Sequence, residues 1–135
     1  MAEGALLGLD PGTAKCGLAL LAASGEVGFR AVVSLEALPE ELRRLAALHP
    51  FERVALGSKT GSERVRELLR TALPGVAVEL VSEHRTTEEA RQLYWKYHPP
   101  RGWRRLMPQG MLVPPEPVDG YAAELLARRL QAGAG

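Results

Sequence analysis

Leu6-Leu7-Gly8-Leu9-Asp10-Pro11-Gly12-Thr13-Ala14-Lys15-Cys16-Gly17-Leu18-Ala19-Leu20-Leu21 reads as a buried strand, a tight turn and a second buried strand. Leu6 to Leu9 is a short apolar run, too brief for a helix and closed by a turn signal. Pro11-Gly12 turns the chain, because proline fixes φ and glycine tolerates φ > 0. Gly17 opens the next apolar run, which continues to Leu21. The anomaly is Asp10, an acid placed where a core strand meets its turn.

Composition sharpens that anomaly. The chain has 14 Glu but only two Asp, Asp10 and Asp119. Surface acids are therefore written as Glu, and the two Asp positions stand out as needing a shorter, stiffer carboxylate. Hard cations, helix caps and tight turns all make that demand.

Outward from this stretch, Ser24-Gly25 makes a hairpin turn into a third strand over Val27–Leu35, which predicts an antiparallel meander. Leu38, Leu42, Leu45 and Leu48 have helical spacing, with Pro39 tolerated in the first turn and Pro50 as a stop. Arg53–Gly57 is a fourth strand. Thr60 and Glu63 have capping-box spacing ahead of a stripe of Val65, Leu68, Leu69 and Ala72. Val76–Val81 alternates as a fifth strand. Thr86 and Glu89 repeat the capping-box pattern for a helix ending near Tyr97. A Pro- and Arg-rich loop spans His98–Pro117, and Val118–Leu130 closes the chain as a helix. The order β-β-β-α-β-α-β-α-α implies an α/β fold: a five-stranded mixed sheet with helices on its faces, the later strands parallel to the first.

At 135 residues, the chain reads as one domain, residues 1–135, on a prior of roughly 100–200 residues per domain. The single cysteine, Cys16, excludes an internal disulfide and fits a reducing compartment. No apolar run approaches a membrane span and the N-terminus lacks a signal-peptide pattern, so the expectation is a cytoplasmic protein with no membrane partner. Net charge is +1, but Ala90–Pro115 holds Arg91, Lys96, Arg101, Arg104 and Arg105 and no acid. Tyr94, Trp95, Tyr97 and Trp103 interleave with them, a pattern suited to phosphate contacts and base stacking. The alternative is that Trp95, with Leu93, packs the third helix against the sheet while the arginines are solvated. Lys15, Lys59 and Arg85, each near a strand end, are further candidate phosphate contacts.

Sites in open α/β sheets form at the C-terminal ends of neighbouring parallel strands. Asp10 ends the first strand, Glu83 follows the fifth, and Asp119 sits in the first turn of the last helix. Three clustered carboxylates repel unless cations join them. Mg²⁺ or Mn²⁺ would do so and would support phosphodiester hydrolysis.

Leu7-Gly8-Leu9-Asp10-Pro11-Gly12-Thr13 with Gly17-Leu18-Ala19, then Val81-Ser82-Glu83-His84-Arg85-Thr86-Thr87, then Val118-Asp119-Gly120-Tyr121-Ala122-Ala123 resembles the YqgF/RuvX family. Its members are RuvC-like Holliday junction resolvases with a ribonuclease-H-like fold. The three motifs fall in the family's order and cover nearly the whole chain. The resemblance implies a sheet of strand order 3-2-1-4-5 and a metal-dependent nuclease using Mg²⁺ or Mn²⁺. It further implies Asp10, Glu83 and Asp119 as catalytic, metal-binding acids. The implied substrate is branched DNA or structured RNA, the latter the precursor of small-subunit ribosomal RNA, matured at its 5′ end. A homodimer suits a two-fold branched substrate. The chain departs from the family at two places. Ser82-Glu83-His84 replaces Asp-Glu-Arg, with Arg85 one position on, and Gly57-Ser58-Lys59-Thr60-Gly61 replaces a Gly-Leu-Pro-like loop. Glu116 and Glu124 are candidates for a fourth acid.

Two rivals remain. Gly12 to Gly17 has P-loop spacing, but Leu18 stands where the phosphate-binding lysine belongs, which rejects that motif. The Asp-Pro-Gly-Thr turn also resembles the phosphate loop of actin-like and sugar-kinase folds, which need two such domains. The second rival is a nucleic-acid-binding protein of the same fold without catalytic activity.

Overall fold

A computed structural model describes residues 4–59, 61–107, 114 and 117–133. Thr60 and Glu116 lie outside them, as does the side chain of Arg104. Five strands, β1 (Leu6–Pro11), β2 (Lys15–Leu21), β3 (Val27–Ser34), β4 (Arg53–Gly57) and β5 (Ala77–Val81), form one sheet of order β3-β2-β1-β4-β5. The β1–β2 and β2–β3 pairs are antiparallel, whereas β4 is parallel to both β1 and β5. The meander and the two parallel additions match the expected sheet. β1 runs two residues further than Leu9, so Asp10 is inside the strand and pairs with Gly17.

Alternation along the strands divides the core in two, because successive side chains point to opposite faces. Leu7 and Leu9 of β1, Leu18 and Leu20 of β2, and Val54 and Leu56 of β4 face α1 (Leu38–Leu48) and α2 (Ser62–Ala72). Each helix meets them with one apolar stripe: Leu38, Leu42 and Leu45 from α1, Val65 and Leu69 from α2. On the other face Leu6, Leu21, Ala55 and Val81 pack against Leu126, Ala127 and Leu130 of α4 (Asp119–Gln131). Each buried leucine contributes roughly 1.5–3 kcal/mol. α3 (Thr86–Tyr97) docks on α4 through Ala90, Tyr94, Trp95, Tyr121 and Ala122.

Glycine brings α4 onto the sheet. A Cβ on Gly8 would overlap the Ala123 carbonyl oxygen, and one on Gly17 would overlap that of Asp119. The N-terminus of α4 therefore rests directly on β2 beside Asp10.

The expected Thr86–Glu89 capping box does not form, and Thr60, the cap expected for α2, lies outside the described residues. The residue before α2 is Gly61, in the left-handed region at φ 102°, and no side chain caps the helix. Thr86 is the first residue of α3 rather than its cap; its hydroxyl donates to the Glu83 carbonyl at 2.9 Å. Arg85 takes the cap position at φ 61°, the one non-glycine residue with positive φ among those described. Within the expected His98–Pro117 loop a 3-10 turn spans Gly102–Leu106.

Candidate functional site

Asp10 lies on the α4 face of β1, in line with Leu6 and Gly8, and is 4% exposed. Parallel pairing sets Leu9 beside Leu56, so the same register carries Asp10 level with Gly57 at the end of β4. Gly57 in turn pairs with Val81, the last residue of β5. Glu83, two residues beyond that strand, folds its side chain back over Gly57. A Cβ there would stand 2.5 Å from Glu83 Cδ. The absence of a side chain at 57 is what admits the Glu83 carboxyl to the space beside Asp10.

The loop after β4 closes this space. Gly61 rests against the Gly12 carbonyl oxygen at 3.2 Å in Cβ terms, which brings Lys59 over the Asp10 turn. The Lys59 backbone N–H donates to Glu83 Oε2 at 2.8 Å. Its ammonium lies 2.8 Å from Asp10 Oδ1 and 3.5 Å from Glu83 Oε1. Both oxygens are buried and accept no aligned hydrogen bond, so the contact is ionic. Burial pushes the Asp10 carboxyl up, the adjacent Glu83 carboxyl adds to this, and Lys59 offsets only part, leaving it at about 7. Partial burial works against the Lys59 charge, but Asp10 and Glu83 outweigh it and raise its pKa above the ordinary lysine value.

Asp119 opens α4, as its sequence position predicts, and its main chain lies on Gly17, the partner of Asp10. Both acids act on Cys16, whose thiol burial first, then Asp10 and Asp119, push far above its usual range. Yet Asp119 does not join the other two. Its carboxylate, 32% exposed, pairs with Lys15 at 3.5 Å. Among the described residues no three His, Cys, Asp or Glu side chains stand close enough to hold a metal ion. The structure brings Asp10 and Glu83 side by side and sets Asp119 at the start of α4, over Gly17 of β2 on the same face of the sheet. Lys15 pairs with Asp119, and Lys59 serves both Asp10 and Glu83.

The donor set nevertheless fits a hard divalent cation. It offers carboxylate oxygens, two of them buried without aligned donors, and such oxygens suit Mg²⁺ or Mn²⁺. Glu124 is excluded as a further ligand, because its buried carboxylate accepts from Arg30 at 3.1 Å, Arg128 at 3.0 Å and the Tyr97 hydroxyl at 3.2 Å.

Arg129 is a residue that sequence reading missed. From α4 it donates to the carbonyls of Ser82 at 2.6 Å and His84 at 2.9 Å, and to Glu89 Oε1 at 3.2 Å. It thereby grips the backbone on both sides of Glu83. Basic residues in the last turn of a helix are ordinary, so no local signal marks this one.

The candidate nucleic-acid contacts divide. Arg85, beside Glu83, is exposed and paired with Glu88 at 3.4 Å, while Arg101 and Arg105 are exposed around the 3-10 turn. Lys15 and Lys59 are engaged with acids of the site. Of the aromatic residues, Tyr94 and Trp95 belong to the core between α3 and α4, whereas Trp103 is 68% exposed. Tyr94 and Trp95 therefore pack, as the alternative for Trp95 had it, but against α4 rather than against the sheet.

Strand order, mixed polarity and helices on both faces make this a ribonuclease-H-like α/β protein. Two solved structures share the arrangement over nearly their whole length. One is RuvC of Thermus thermophilus in complex with Holliday junction substrate: TM-score 0.63, 16% identity, 97% of this chain and 96% of that chain covered. The other is a structure of Thermus thermophilus RuvC, with TM-score 0.57, 16% identity and 96% of each chain covered. At that identity the likeness establishes the shared fold. No protein-family model and no curated protein matches the sequence. No helix among the described residues is long and apolar enough to cross a membrane.

Proposed function

We propose that the chain is a metal-dependent endonuclease of the RuvC-like kind, cutting phosphodiester bonds in structured nucleic acid. The supporting observation is the Asp10–Glu83 pair, held side by side with a buried oxygen on each that has no hydrogen-bond partner and faces the Lys59 ammonium. Buried like charges are costly, and a fold retains them where chemistry uses them. Asp10 and Glu83 would hold a divalent ion, and Asp119, at the start of α4, would join them as a third donor on releasing Lys15. When bound, such an ion would activate a water and stabilise the leaving oxygen.

The chain's own residues supply the rest. Gly57 and Arg129 hold Glu83 in place, and α4 delivers Asp119. Arg85, Arg101, Arg104 and Arg105 take the phosphates on either side of the cut, with Lys15 and Lys59 at the acids themselves. The RuvC solved with Holliday junction substrate favours branched DNA. The motif resemblance to the YqgF/RuvX family adds structured precursor ribosomal RNA as a substrate; the single cysteine fits a reducing, cytoplasmic setting, and a two-fold branched substrate suits a homodimer.

The test compares wild type with Asp10→Asn on a four-way DNA junction and on a structured RNA, each with Mg²⁺ or Mn²⁺. Cleavage that needs metal and falls by roughly 100-fold or more in the variant supports the nuclease. Binding without cutting in wild type supports a catalytically inactive nucleic-acid-binding protein of the same fold.

A further inference from the structure

Lys59 occupies the gap between the two buried carboxyls. Its ammonium stands 2.8 Å from Asp10 Oδ1 and 3.5 Å from Glu83 Oε1, the oxygens without aligned hydrogen bonds. Its backbone is anchored separately, through the N–H that donates to Glu83 Oε2 at 2.8 Å. The side chain is 45% exposed, so the four-carbon stem can turn to solvent while the loop stays in place. An ammonium and a divalent ion seek the same oxygens, and one location between them cannot hold both.

We infer that Lys59 is a resident counter-ion of the acid pair, which a divalent ion must displace to bind, so that this lysine sets the metal affinity of the site. The inference rests on the proposed nuclease reading for the nature of the ligand. In the metal-free protein Lys59 keeps two buried carboxyls from repelling each other. Once displaced, its ammonium reaches the mouth of the site, where a phosphate of nucleic acid can replace the carboxylates as its partner. Metal and nucleic acid then favour each other's binding, and by linkage the effect is reciprocal.

The experiment is a Mn²⁺ titration of the full chain by calorimetry, with wild type, Lys59→Gln and Lys59→Arg. Lys59→Gln removes the charge and keeps the polar stem, and it is expected to bind Mn²⁺ about tenfold tighter or better, about 1.4 kcal/mol. Lys59→Arg retains the charge and is expected to stay near wild type. If repulsion unfolds Lys59→Gln without metal, the Mn²⁺-dependent rise in its melting temperature reports the same affinity. Equal or weaker Mn²⁺ binding by Lys59→Gln overturns the inference, as does the absence of Mn²⁺ binding by both folded proteins. Tighter binding with no cleavage by any variant would keep the inference and remove the nuclease reading. Metal-dependent cleavage with unchanged affinity would do the reverse.

Discussion

Gly57→Ala isolates the contact that assembles the acid pair. The φ of Gly57 is not positive, so alanine is compatible with the backbone and the effect comes from its methyl group. That group would lie 2.5 Å from Glu83 Cδ and 3.0 Å from Cγ, against an ordinary contact of 3.4 Å or more. The Glu83 carboxyl must retreat by about 1 Å, because Gly57 sits in a paired strand and the glutamate is the softer partner. The hydrogen bond from Lys59 N to Oε2, 2.8 Å long, is then lost. A bond to a charged acceptor contributes about 1.5–3 kcal/mol, and the stiffer unfolded chain offsets about 0.4–1 kcal/mol of that. The expected result is a destabilisation of about 1–2 kcal/mol, a fall in Tm of roughly 4–8 °C. Mn²⁺ affinity should fall about 10–100-fold. Thermal unfolding and a Mn²⁺ titration read the two effects. Wild-type values in both would show that Glu83 does not depend on the space at Gly57, and the assembly of the site would need another explanation.

Arg129→Ala should lower stability by about 1–3 kcal/mol and weaken Mn²⁺ binding several-fold, because both carbonyls flanking Glu83 lose their donor; Arg129→Lys should recover stability more than affinity, and equal recovery would argue for a purely structural residue. For Asp10, a folded pKa of about 7 lies above the ordinary 3.8. Its neutral form therefore stabilises the metal-free protein fully below about pH 3.8, and that contribution is lost as pH rises through 7. Denaturation of wild type and Asp10→Asn across pH 4–8 should show this slope in wild type alone, and Mn²⁺ affinity should climb with pH until about 7. Arg101→Ala with Arg105→Ala should weaken nucleic-acid binding regardless of sequence and reduce the logarithmic salt slope by about 2; an unchanged slope would remove the loop from the interface.

The sheet was legible because each strand carries its own signal. The Leu6–Leu9 and Gly17–Leu21 runs flank a Pro-Gly turn, and helical stripes alternate with the last two strands, which leaves few topologies open. Asp10 stood out because an acid broke an apolar run in a chain that otherwise uses Glu. The pairing of Lys59 with Asp10 and Glu83 was not legible, since it depends on a left-handed Gly61 that lays the loop against Gly12. The Thr86 hydroxyl misled in a related way. Its spacing to Glu89 is that of a capping box, but Arg85 takes the cap position and Thr86, the first helical residue, donates to the Glu83 carbonyl instead. Tyr94 and Trp95 look like a stacking platform in sequence; α4, nearly thirty residues later, buries both. Arg129 reaches across 45 and 47 residues to the Glu83 loop, a distance over which periodicity carries no information.

The most direct measurement is a crystal structure of the protein soaked in Mn²⁺, with the ion located by anomalous scattering. A peak ligated by Asp10 Oδ1 and Glu83 Oε1, with the Lys59 ammonium turned away from both, is the expected result. No peak at saturating Mn²⁺, with the lysine still between the carboxyls, would contradict a metal-dependent site at this corner of the sheet.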